Sequence, residues 1–435
     1  MLSTLRFIFN KKSYELTLKK ASLFFSNATK EDIFKYQVEQ FNQVWKDAYE
    51  NIEFYKRWKE DNHLPNQIYS LSELSNWPII TKKEIISSKD SIYRKYPPKS
   101  FVVTSGSTGV PLSIPSKGNI DTKANTWIGR AANGLIPGEK TFLIWGHHHL
   151  RGTGIARLKN NSIRFLKDLV LGYLRVSAYD TSMIAMNKAF KRYQKFRPKF
   201  VVAYSTSMLG FVRCNSHQNE VHRPQLVLCT AGPLSDIEKK EIQDFFKCPL
   251  CMEYGSVECG VMAFSVNNCT HYNTFWNEHI VQGFKDNQGY IKNIVTNITH
   301  RYFPLIRYDI GDYLDISEYE DLNSIIKINS IIGRPTDMVT LSNGTSFFAM
   351  LIEACVEHID GLISHQLLVN SDKLEILLVA QRILNKEDFE SILNKIYIVV
   401  PDLRKCSITI KQVDELIKNR GGKIPIVVRV NDKND

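Results

Sequence analysis

The run Thr104-Ser105-Gly106-Ser107-Thr108-Gly109 puts four hydroxyls and two glycines into six positions, directly after the apolar residues Phe101, Val102 and Val103. Glycine lets the backbone come close with positive φ, so successive N–H groups converge on one anion while the hydroxyls add donors. The chemistry such a loop suits is phosphate binding. A solvated Ser/Thr/Gly turn is the plainer alternative. The run is not the GxxxxGK[ST] loop of the P-loop NTPases, since no Lys-Ser or Lys-Thr pair follows these glycines. Two further groupings carry reactive side chains. His147, His148 and His149 stand just after the apolar segment Thr141–Gly146, where a strand end would present them to a carboxylate or sugar. Cys229, Cys248, Cys251, Cys259 and Cys269 cluster ahead of His271, and thiolates with an imidazole suit tetrahedral Zn²⁺, with Cys259, Cys269 and His271 the better trio; buried structural cysteine is the other reading.

The elements that must position these groups follow from periodicity. Apolar residues at spacings of three and four (Phe34, Val38, Phe41, Trp45, Tyr49) predict a helix over 31–62. Thr81 is placed to cap a helix over Lys82–Ile85, and Ser235 to cap the segment DIEKKEIQDFF, whose first turn is acidic as the helix dipole prefers. Ser205, Thr206 and Ser207 either cap a helix after the strand-like Phe200–Tyr204 or line a pocket. Strand–helix–strand alternation from Lys140 to Glu258 predicts a parallel sheet with right-handed crossovers. From Asn273 to Tyr313 short alternating segments with Gly and Asn turns predict an antiparallel unit. Beyond Gly333 the pattern is that of a small α+β domain.

Bulk properties bound the function loosely. At 435 residues the chain exceeds one ordinary core. Its net charge of +11 admits nucleic acid, an anionic membrane surface, or polyanions such as ATP and CoA as partners. Lysines are dispersed and no nucleic-acid motif occurs, so no nucleic-acid partner is expected. The basic amphipathic start (Arg6, Lys11, Lys12, Lys19, Lys20) reads either as a packed first helix or as a peripheral membrane contact. The lack of a spanning apolar run or a cleavage site points to a cytoplasmic protein with mostly free thiols.

The phosphate-type loop, extended to FVVTSGSTGVP, resembles the TSG[ST]TGxP signature of the acyl-adenylate-forming ligases, and within them the phenylacetate–CoA ligase branch with its capsule-biosynthesis relatives. AGPLS (Ala231–Ser235), EYGSVECG (Glu253–Gly260), RYDIGDY (Arg307–Tyr313) and GRPTDM (Gly333–Met338) follow in the family's order, and FYKRWKEDN…ITKKEI (Phe54–Ile85) resembles its entry segment. The resemblance implies an α/β fold: a large N-terminal domain of parallel and mixed sheets with helices plus a β-rich unit, residues 1–333, holding ATP and the acyl substrate, and a small mobile α+β lid, residues 334–435. It implies ATP- and Mg²⁺-dependent activation of a carboxylic acid as acyl-AMP with release of pyrophosphate, then transfer to the CoA thiol, or alternatively to a sugar amine or hydroxyl in capsule or O-antigen polysaccharide assembly. An inactive nucleotide-binding homologue is the remaining reading.

By the same resemblance the 104–109 loop holds the β- and γ-phosphates, and Glu258 holds Mg²⁺. Tyr254, with Gly232 and Pro233 opposite, stacks on adenine, flanked by Glu253, Gly255 and Ser256. Asp312 accepts the ribose hydroxyls, Arg334 reaches ribose or phosphate, and Lys423 neutralises the reacting carboxylate. His147, His148, Tyr204 and Ala231 line the acyl side. Singly, Glu258 and Asp312 also read as surface ion-pair partners, Tyr254 as core and Lys423 as a solvated tail charge. Two departures stand out: Val257 replaces the threonine of YGxTE, and Thr336 interrupts the hinge motif GRxDD.

Overall fold

The computed structural model describes residues 2–103, 112–116, 120–146, 154–178, 183–266, 271–287, 289–333, 338–342, 344–356, 359–370, 373–418 and 424–430. The phosphate-type loop, His147, His148, Cys269, Arg334 and Lys423 lie outside these residues. The chain resolves into two compact units, each assembled from distant parts of the sequence.

One unit comprises 7–137 and 251–332. The helix Lys30–Asn51 begins at a capping box in which the Thr29 side chain accepts from the Asp32 amide and Asp32 accepts from the Thr29 amide. Its apolar stripe (Ile33, Phe41, Val44, Trp45, Ala48) is buried, and Trp45 meets Tyr55, Trp58 and Trp77 edge-on at 5.0–6.2 Å between ring centres. The short helix Lys82–Ser87 starts at the expected Thr81 cap, closed by Glu84. Strands His279–Lys285, Ile291–Asn297 and Tyr308–Asp315 pair antiparallel in succession, as their alternation predicts. Arg307, held at φ 51°, is buried in their midst and donates to Gln282 Oε1 at 3.0 Å and to the carbonyls of Ser75 and Trp77. The helix Leu2–Phe24 ends with Ala21 and Phe24 packed on Phe264, Phe275 and Trp276. Lys20 bonds Glu278 at 2.7 Å, so this end of the basic segment is fastened into the fold.

The other unit comprises 138–250 and 333–435, with the first six residues. Strands Thr141–Ile144, Tyr173–Val176, Phe200–Tyr204 and Leu226–Thr230 all pair parallel. Helices Gly154–Leu171, Met183–Phe196 and Ser205–Cys214 connect them, giving the expected strand–helix alternation. Ser235 forms a capping box with Glu238 at the start of Asp236–Phe246. The hydroxyls at 205 and 207 do not cap. Tyr204 occupies the cap position without a side-chain bond, and Ser207 donates to Ala178 O at 3.0 Å. The C-terminal segment folds as Leu362–Asn370 antiparallel to Lys373–Ala380, with Ser407–Gln412 and Val427–Arg429 added in parallel. Its core gathers Ile352, Leu367, Leu374, Ile376, Ile392 and Ile396. Arg213 ties this segment to the 138–250 part. It is paired with Glu241 at 3.0 Å, donates to Ile363 O at 3.4 Å, and its carbonyl accepts from Gln381. Among the described residues no helix is long and apolar enough to cross a membrane.

Candidate active site

Tyr254 sits near the end of the strand Leu250–Ser256, which turns at 257–259 and pairs antiparallel with Gly260–Phe264, the register shifting between Tyr254 and Gly255. The turn is tight. A Cβ on Gly255 would lie 2.4 Å from the carbonyl oxygen of Gly260, which itself takes φ 81°. Ser256 Oγ closes the turn by accepting the Cys259 amide at 3.0 Å. Glycine at 255 is therefore a steric requirement of the motif.

The hairpin delivers Tyr254 to Asp312, 58 residues away on the strand Tyr308–Asp315. The phenol donates to Asp312 Oδ2 at 2.7 Å and accepts from Asn293 Nδ2 at 2.8 Å. Both Tyr254 and Asp312 are almost fully buried, 9% and 7% exposed. Burial, reinforced by the Asp312 charge, pushes the Tyr254 hydroxyl well above its ordinary range, so it remains a proton donor. Because Asn293 occupies the phenol oxygen as a donor, the single phenolic proton is committed to Asp312. Asn293 is wholly buried and its Oδ1 has no partner. An orphaned acceptor beside an acidic carboxylate suits an incoming group that brings hydroxyl or amino donors.

Glu258 lies within this turn, between Ser256 and Cys259. Tyr308 OH approaches its Oε1 at 3.5 Å, and Arg301 fixes the backbone on either side by donating to Glu258 O at 3.3 Å and Cys259 O at 2.8 Å. A half-buried carboxylate on a backbone fastened in this way is a hard oxygen ligand of the kind Mg²⁺ takes alongside phosphate and water. The neighbouring Cys259 thiol is pushed up to about 12 by burial and by the Glu258 charge. Cys269 lies outside the described residues, and no cluster of three His, Cys, Asp or Glu that would hold a metal ion occurs among the described residues.

Glu253, beside Tyr254 in the same motif, is engaged by a side chain of another element. Its buried carboxylate is held by Arg130, with Nε at 2.8 Å and Nη2 at 3.1 Å, which fixes the helix Ile120–Ala132 against the strand that carries Tyr254. Val257, at the threonine position of the motif, is 56% exposed. In the other unit, Ala231 adopts φ 64° and begins the turn through Gly232 and the exposed Pro233. Ser205 Oγ holds that turn by donating to Gly232 O at 2.8 Å. Tyr204 packs against Trp145 with ring centres 4.4 Å apart and planes tilted by 42°, and reaches Gly146 O at 3.5 Å. The structure thus brings together Tyr254 with Asp312, and Gly255, Ser256 and Glu258 along one hairpin. It adds Asn293 and Arg301, which the sequence did not single out. The only signal for Asn293 was a polar side chain directly before the apolar pair Ile294-Val295 in IKNIVTN.

The fold is that of the adenylate-forming CoA ligases. The chain superposes on 2-hydroxyisobutyryl-CoA ligase in its postadenylation state with 2-HIB-AMP at a TM-score of 0.71, with 14% identity, covering 93% of this chain and 91% of that one. It also superposes on the same enzyme with 2-HIB-AMP and CoA at a TM-score of 0.55 over the same shares. By sequence it is similar to Protein CapK of Staphylococcus aureus, 23% identical over 289 residues, which is 65% of this chain. The match spans 63% of that relative's length, under two thirds of it. No protein-family model matches the chain.

Proposed function

We propose that this chain is an ATP-dependent acid ligase that makes an acyl-AMP, releases pyrophosphate, and passes the acyl group to an acceptor, the CoA thiol in the first instance. The observation that carries this reading is the Asn293–Tyr254–Asp312 chain: two motif residues joined by a hydrogen bond, with a buried acceptor left over, in a fold shared with acyl-AMP-binding ligases. In this reading Asp312 accepts from the ribose and Tyr254 holds it in place. Gly232 and Pro233 contribute to the adenine side, and the 104–109 loop donates to the β- and γ-phosphates. Attack of a carboxylate on the α-phosphate joins two anions, so positive charge is the main requirement. Arg334 and Lys423 supply it, Lys423 as a compact ammonium on the lid. Glu258 is the side chain that would hold Mg²⁺, which when bound screens the phosphate oxygens. His147, His148, Tyr204 and Ala231 line the acyl side. The division into an adenylation domain, 1–333, and a lid, 334–435, belongs to the same proposal.

Transfer to a sugar amine or hydroxyl is the second reading, favoured by the departures at Val257 and Thr336. Pyrophosphate release with a panel of carboxylic acids tests adenylation, and Lys423→Ala is expected to abolish it while sparing ATP binding. Undiminished release in that variant removes Lys423 from the mechanism. Mass detection of a thioester on adding CoA separates the two acceptors. Failure of every acid to release pyrophosphate leaves a nucleotide-binding homologue.

A further inference from the structure

The helix Gly154–Leu171 is turned the opposite way from an ordinary surface helix. A helix covering a sheet buries its apolar stripe and shows its polar face. Among its described side chains Asp168 is the buried one, paired through both carboxylate oxygens with Arg175 of the adjoining strand Tyr173–Val176 at 3.0 and 3.1 Å. Five apolar side chains among its described residues face solvent instead: Ile163 is 42% exposed, Phe165 68%, Leu166 58%, Leu169 58% and Val170 43%. At 100° per residue these five fill an arc of roughly 160° on the side away from Asp168. Lys159 lies within that arc and Lys167 at its edge, both exposed. The acid of this helix, Asp168, is buried in its ion pair.

We infer that this helix is a docking surface for an anionic lipid bilayer, lying in the plane of the interface with Phe165, Leu166 and Leu169 among the acyl chains. Two observations choose the occupant. The exposed charges described on the helix are all positive, on a chain of net charge +11, which complements anionic headgroups and opposes a second copy of the same face. The apolar area is also modest. Five side chains at these exposures present on the order of 500 Å², below the ~800 Å² per partner of a stable protein interface yet as large as the patches that monomers keep for function. Lysines on aliphatic stems can lie along this apolar surface while their ammonium groups reach the phosphates.

The test is co-sedimentation of the full-length protein with vesicles of phosphatidylcholine alone and with a quarter phosphatidylglycerol. Binding to the anionic vesicles is expected, with apparent affinity at least tenfold lower on phosphatidylcholine alone and at least tenfold lower in 0.5 M salt. Phe165→Ser with Leu169→Ser is expected to lower anionic-vesicle binding at least tenfold without moving the unfolding temperature. Lys159→Gln with Lys167→Gln is expected to weaken binding to anionic vesicles and leave phosphatidylcholine unaffected. Absence of vesicle binding overturns the inference, as does binding that the Phe165/Leu169 variant retains. Concentration-dependent dimerisation lost in that variant, without vesicle binding, assigns the face to a second copy and overturns it equally.

Discussion

Replacing Arg130 by Met removes one half of a buried ion pair while keeping a side chain of similar length. Glu253 is then left as a carboxylate with 3% of its side chain exposed and without the two bonds at 2.8 and 3.1 Å that hold it. Breaking a buried pair from one side costs about 3–5 kcal/mol, because the remaining charge stays desolvated. Loss of the Arg130–Trp127 stacking, at 5.8 Å, adds about 0.5–1 kcal/mol. In a cooperative unit of about 200 residues each kcal/mol lowers the midpoint by about 2–4 °C, so a fall of roughly 7–24 °C is expected from the two losses together. The second arm is the double variant Arg130→Met with Glu253→Met. Removing both charges abolishes the desolvation penalty, so most of the lost stability returns. Differential scanning calorimetry of the three proteins measures both effects. A single variant that falls by less than about 2 °C, or a double variant no better than the single, refutes the reasoning and assigns Glu253 a role outside the core.

Asn293→Leu removes the donor that directs the Tyr254 proton to Asp312; the KM for ATP is expected to rise about tenfold with kcat nearly unchanged, the loss of one buried hydrogen bond, and unchanged steady-state kinetics disprove the role. His365, on the strand Leu362–Asn370, has a buried Nε2 without a partner and a pKa lowered to about 4 by burial and by Arg213. Its folded site resists protonation, so its contribution is intact above pH 6.5 and is lost as pH falls towards 4, by at most about 3 kcal/mol; His365→Phe should flatten this acid limb in unfolding measured from pH 7 to 4, and an unaltered slope counts against it. Among the described cysteines Cys406 alone is half-buried and the other six are buried, with Cys259 pushed up to about 12; titration with a disulfide reagent should label Cys406 well before Cys259 in the native protein, and equal rates would contradict the burial.

What the sequence revealed depended on how local the cause was. The caps at Thr81 and Ser235 were legible because donor and acceptor lie three residues apart. The parallel strands and the antiparallel unit were legible because alternation and turn residues recur over short windows. The Arg130–Glu253 pair was not, since 123 residues separate its members and neither has a distinctive neighbourhood. Glu253 was singled out through the EYGSVECG motif, and nothing in that motif announces the bonds its carboxylate makes to Arg130. Ser205 and Ser207 carry the residue type of a cap but bond carbonyls of other segments, a choice made by tertiary packing. Asn293 was missed because an amide in a strand that also carries Lys292, Thr296 and Asn297 does not stand out; its partner arrives from a hairpin 39 residues earlier. The strand Tyr173–Val176 was missed for its brevity.

Under the proposed two-step reaction, Arg213 would bear on turnover. If the 334–435 segment swings about its hinge between the two half-reactions, the Ile363 carbonyl and the Gln381 amide must let go of Arg213 at every cycle, and the guanidinium would fall back on Glu241 and Glu238. Those two acids keep its charge compensated in either posture, so the residue can serve as a clasp that opens without stranding a cation.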